Sequence, residues 1–162
     1  MNPFDKDLWE FASYVVTVVG LPLAIATYIA QERKERRAEE EESWQRLSDS
    51  YIAFLKIVLD NPDLHLRTAR STPGLTAEQV ERTMVIFDML VVLFERAYLV
   101  AWEPDMSAEQ ARRWNSWEDW MREWCRREDF LNRLPVLLKG EDPGFAKYIQ
   151  RIADEERAGL DA

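Results

Sequence analysis

The chain has one histidine and one cysteine in 162 residues. A lone Cys125 closes no internal disulfide, which suits a reducing compartment. His65 and Cys125 stand 60 positions apart, so neither brings the other the company a metal site draws on. Glycine is scarce too. There are five, none in a Gly-rich run, so no phosphate-cradling loop is present. No Cys-x-x-Cys pair and no Ser/His/Asp constellation appears. The helical-bundle ribonucleases of the HEPN type carry an arginine a few residues before a histidine. The residues five to seven before His65 are Asp60, Leu59 and Val58, so that pattern is missing.

Basic residues are outnumbered. Against 30 Asp and Glu stand 21 Lys and Arg, a formal net charge of −9. Phosphate-binding surfaces need clustered cations, so a nucleic-acid partner is disfavoured. These absences lead to an expectation of no catalytic residue, no metal, no cofactor and no small-molecule ligand.

One stretch lacks charge altogether. From Phe11 to Gln31 there are 21 residues without an Asp, Glu, Lys or Arg. At about 1.5 Å per residue such a helix covers the ~30 Å hydrocarbon core of a bilayer. The flank before it is acidic (Asp5, Asp7, Glu10, with Lys6), and the run is too long for a secretory signal. After it come Arg33, Lys34, Arg36 and Arg37, which belong on the cytoplasmic side. The expected layout follows. Residues 1–7 form a short outer tail, 8–31 a single-pass helix of the inner (plasma) membrane, 32–43 a charged helical stalk, and 44–162 a cytoplasmic bundle. Pro22, two residues after Gly20, predicts a kink. Gly20 and Ala24 form a small-xxx-small pair on which two spans can pack.

Beyond the span every pattern is helical, so the fold class expected is all-α. A membrane helix continues into four main helices plus a short one. Trp44, Leu47, Tyr51, Phe54 and Val58 step by 3, 4, 3 and 4, a seam suited either to a core or to an oligomer. Leu55 and Leu59 widen it. Asn61-Pro62 stops that helix, and residues 62–75 read as a loop. Thr76-Ala-Glu-Gln79 and Ser107-Ala-Glu-Gln110 are capping boxes that start the next two helices. The first runs to about Ala101, with Glu81, Asp88 and Glu95 as one narrow polar stripe and the rest of its circumference expected to be buried. The second runs to about Arg127 and carries Trp114, Trp117, Met121 and Trp124 at core spacing. Trp120 falls off that stripe and is the candidate exposed aromatic contact. The arginines of this helix, Arg127 among them, are matched by nearby acids, so the helix reads as laced with salt bridges and not as basic, which removes the electrostatic support for stacking on nucleic acid. Pro135 interrupts a short apolar segment from Phe130 to Leu138. Asp142-Pro143 caps the last helix, which runs to about Arg157 and carries Phe145, Tyr148, Ile149 and Ile152 on one face.

Three functional readings come from these features. The first is a membrane-anchored interaction or oligomerisation module without enzymatic activity, its partners being its own copies or a protein at the inner membrane. The second is a membrane-perturbing effector hinged at Gly20 and Pro22. In layout alone, one span, a stalk and a small helical domain, the chain resembles membrane-anchored effectors of bacterial phage-defence systems. The third is a hydrolase using Asp88 and Glu95. Seven residues put those carboxylates about 10.5 Å apart along a helix axis, wider than glycosidase pairs at roughly 5–9.5 Å.

Overall fold

A computed structural model describes residues 21–160. Those residues form an all-α structure with no strand among them. Five α-helices follow one another: α1 (Leu21–Asp60), α2 (Ala77–Ala101), α3 (Ala108–Cys125), α4 (Glu128–Leu137) and α5 (Pro143–Leu160), with a 3-10 turn at Pro62–Leu64. The chain divides into two units, residues 1–44 and 45–162.

In the first unit the described residues are helical from Leu21 onward. Side chains four apart support the helix surface, Arg36 on Glu32 at 2.8 Å and Gln31 on Glu35 at 3.1 Å. Leu21, Leu23, Ile25, Tyr28 and Ile29 are all exposed. Of the uncharged run, residues 11–20 lie outside the described residues. No helix among those described is long and apolar enough to cross a membrane. Gly20 also lies outside them, and with it the expected kink. Pro22 and Ala24 are exposed residues near the start of α1.

The second unit is built around α3, because the large aromatic side chains are concentrated there. Trp114, Trp117, Met121 and Trp124 are buried, and rings converge on them from the other elements. Tyr51 and Phe54 of α1 meet Trp117 and Trp124 edge-on at 5.8 and 5.7 Å. Phe94 and Phe87 of α2 reach the same two indoles at 6.5 and 6.4 Å. Phe130 of α4 lies 6.2 Å from Trp124, and Tyr148 of α5 lies 5.8 Å from Trp114. Edge-to-face contacts of this kind add to what burial alone contributes.

The helix starts follow local chemistry. Gln79 N–H donates to Thr76 Oγ1 at 3.2 Å while Thr76 N–H donates to Gln79 Oε1 at 2.9 Å. Ser107 and Gln110 repeat the exchange at 3.3 and 2.9 Å. Asp142 Oδ1 accepts from the N–H groups of Gly144 and Phe145 at 2.8 and 2.9 Å, opening α5 behind Pro143.

Four details depart from the sequence expectation. Leu59 is 75% exposed and Leu55 only half-buried. Leu59 lies about 100° round the helix from Val58, off the line that meets the rings of α3. Pro135 does not break its helix, because it falls in the last turn and α4 ends two residues later. α3 stops at Cys125, since Arg127 turns to an extended backbone (φ −81, ψ 121) and becomes the residue that precedes α4. And α2 does not bury most of its circumference. Val85, Met89, Val92, Leu99 and Val100 stand exposed beside the acidic stripe.

Candidate functional site

The tryptophan cluster forms the core of the second unit. Trp114 Nε1 donates to Tyr148 Oη at 2.8 Å, and Tyr148 donates onward to Glu118 Oε2 in a very short hydrogen bond. Arg122 binds Glu118 at 2.6 Å, Glu155 at 2.7 Å and Glu156 at 3.2 Å, joining α3 to α5. Burial, then the bond to Glu118, pushes the Tyr148 hydroxyl up to about 12. Burial also raises Glu118, but hydrogen bonds from Tyr148 and Arg122 outweigh it and leave that carboxyl below its ordinary value. Glu156 ends low in the same way, through Arg126 and Arg122. The arrangement gives the buried Trp114 N–H an acceptor and holds α3 and α5 together.

Trp120 is half-buried and lies flat on Tyr51, with ring centroids 4.0 Å apart and planes 13° apart. Along the α1 seam Leu47, Tyr51, Phe54 and Val58 are buried, and Trp44 is half-buried. In this chain the buried rings of that seam face α3 of their own bundle.

The three acids of α2 do not act alike. Glu81 and Asp88 are exposed. Glu95 is half-buried and its Oε1 accepts the backbone N–H of Asp142 at 2.5 Å. It is also joined by Glu141, which sequence spacing did not suggest. A hydrogen bond with Glu95, then burial, then repulsion from Glu95 and Asp88 raise the Glu141 carboxyl above its ordinary 4.5. Glu95 is thereby tied to the turn before α5 instead of facing Asp88 across a cleft. Among the described residues no group of three or more His, Cys, Asp or Glu is placed to hold a metal ion. The Cys125 thiol is buried and pushed up to about 12 by burial, far from a reactive thiolate.

Sequence reasoning also missed Arg127. It is 1% exposed, one of two buried polar or charged residues among those described. Its guanidinium donates to the carbonyls of His65 and Thr68 at 2.9 and 3.1 Å and pairs with Asp129 at 2.7 Å. His65 needs that support, because it sits in the left-handed region at φ 46. Leu64 and Leu66 are buried beside it, so residues 62–75 form a strap fastened to the bundle. Between the strap and the end of α3 lies a cavity of about 190 Å³. The three arginines lining it are all neutralised: Arg67 by Glu123, Arg126 by Glu156 and Arg127 by Asp129.

What is left uncovered is the outer face of α2. Val85, Met89, Val92 and Leu99 step by 4, 3 and 7, so they share one side of the helix. They are 52%, 42%, 55% and 60% exposed. By the helical step of about 100° per residue, Asp88 lies just outside the row and the exposed Arg96 falls within it, between Val85 and Met89. The chain matches no protein-family model, no curated protein and no solved structure.

Proposed function

We propose that this chain is a membrane-tethered helical interaction module, with the uncharged run as its tether and the bundle, on the cytoplasmic side of the inner membrane, as its contact domain. The observation that carries the reading is the open apolar face of α2. The interior of the bundle is filled with interlocked rings, yet four large apolar side chains on one helix face have no cover. Contiguous exposed apolar surface of this kind marks contact sites on soluble domains. A catalytic role finds little to work with, because Glu95 is tied to the N–H of Asp142 and Asp88 stands exposed. The tether is supported by the charge-free run and by the exposed apolar side chains from Leu21 to Ile29, which lipid would cover.

The test has two parts. In bacterial membranes the full chain should stay in a carbonate-washed pellet and lose its bundle to protease only from the cytoplasmic face. A chain lacking residues 11–31 should be released. A photo-reactive side chain at position 89 should form protein adducts that the same group at the exposed position 112 does not. A washed-off full chain, or equal adducts at 89 and 112, would sink the proposal.

A further inference from the structure

The first charges after the uncharged run are sorted by side. Leu21, Leu23, Ile25, Tyr28 and Ile29 are exposed on α1, and Glu32, Arg33, Lys34, Glu35, Arg36 and Arg37 follow directly. The two acids in that set are occupied. Glu32 holds Arg36 at 2.8 Å, and Glu35 accepts from Gln31 at 3.1 Å. Arg33, Lys34 and Arg37 are exposed, and among the described residues no acid is paired with them. At about 100° per residue, Arg37 lies some 40° and Lys34 some 100° round from Arg33, while Glu35 and Glu32 fall at about 200° and 260°. The three open cations therefore share one side of the helix, and the two acids take the other.

We infer that Arg33, Lys34 and Arg37 form a binding surface for anionic phospholipid headgroups in the leaflet next to them. The inference rests on the tether reading and names the class of lipid it selects. With the uncharged run in hydrocarbon, the turn that follows lies in the headgroup layer, which is about 5–7 Å deep on each side of the core. Arg33 to Arg37 covers about 6 Å of helix axis, so the three cations fill that depth. Glu39 to Glu42 follow beyond it, on the water side. The order of charge, cations first and acids after, thus matches a negative surface at the end of the apolar stretch. A guanidinium also meets a phosphate with two parallel hydrogen bonds, which suits Arg33 and Arg37 to a phosphodiester. A cation held near an anionic leaflet strengthens association roughly fivefold, and the effect fades within a Debye length. Continuity with the apolar stretch favours lipid over an acidic protein, because whatever covers these cations must sit against the membrane surface itself.

The full chain with Ala38→Cys tests it, since Ala38 is exposed between the cations and the acids and Cys125 is buried. A fluorescent donor on that cysteine is read against an acceptor on the acyl chain of either phosphatidylglycerol or phosphatidylcholine, in vesicles that mix the two lipids. At low salt, energy transfer to the phosphatidylglycerol acceptor should exceed transfer to the phosphatidylcholine acceptor by at least about twofold. High salt should remove the excess. Arg33→Gln, Lys34→Gln and Arg37→Gln together should abolish it. Lys56→Gln, Arg70→Gln and Lys147→Gln together, at exposed positions of the second unit, should leave it in place. The same vesicles are then washed with carbonate. Equal transfer to the two acceptors, from a chain that resists the wash, overturns headgroup selection and leaves the tether reading standing. A preference that survives the substitutions at 33, 34 and 37 overturns the assignment to these residues. A chain that the wash releases overturns both the inference and the tether.

Discussion

Arg127 donates a hydrogen bond to the backbone carbonyl of His65, 62 positions earlier in the chain, at 2.9 Å. The guanidinium is buried, held by the carbonyls of His65 and Thr68 and by its ion pair with Asp129. Removing one partner of a buried pair costs about 3–5 kcal/mol. Arg127→Ala should therefore lower stability by that order, read as a fall in the urea midpoint. It should also open residues 65–72 to limited trypsin cleavage at Arg67 and Arg70. Arg67→Ala, which breaks the exposed pair with Glu123, should cost no more than about 1 kcal/mol.

Tyr148 accepts from Trp114 and donates to Glu118. Tyr148→Phe keeps the ring and strands the buried Trp114 Nε1 without its acceptor. A buried donor left unpaired costs about 1–3 kcal/mol. The variant should melt below the parent in calorimetry, with its helix content by circular dichroism unchanged at 25 °C. An unchanged melting temperature would show that the bond contributes nothing net.

Glu141 gives a pH dependence of defined sign. Its folded value lies above the unfolded one, so its contribution to stability is complete below pH 4.5 and is lost as pH rises through the raised folded value. Glu118 and Glu156 act oppositely. Their folded values are lowered, so their contribution is present near neutrality and is lost as pH falls through those values. Glu141→Gln should leave acid unfolding, set by Glu118 and Glu156, in place and raise stability at pH 7. Urea titrations at pH 7 and at pH 4 would show it: a gain confined to the higher pH supports the assignment, and an equal gain at both contradicts it.

Cys125 is buried and its thiol is raised to about 12. A maleimide at pH 7 should leave it unmodified in the native chain and label it fully in urea. Rapid native labelling would mean that the end of α3 opens readily.

Much of the fold was legible because its determinants are local. Thr76 with Gln79, and Ser107 with Gln110, each place both halves of a helix start within four residues. The core spacing of Trp114, Trp117 and Trp124 likewise needs nothing beyond helical periodicity. Arg127 was illegible because its neighbours in sequence include Glu128 and Asp129, so it looks like one more surface cation. Its burial is decided by carbonyls some 60 residues away. The open face of α2 was illegible for another reason. Val85, Met89 and Val92 are as apolar as Leu90 and Phe94, and periodicity does not say which side of an apolar helix a partner helix will cover. Only the packing of α3, α4 and α5 against one side decides that.

The reliance of Tyr51 and Phe54 on α3 also sets an order in time. Synthesis runs from α1 to α3, so both rings emerge from the ribosome long before Trp117, Trp120 and Trp124 exist. Throughout the making of the strap and all of α2, the seam of α1 is an uncovered aromatic strip on a nascent chain. It is the stretch on which a chaperone working during translation would find its grip.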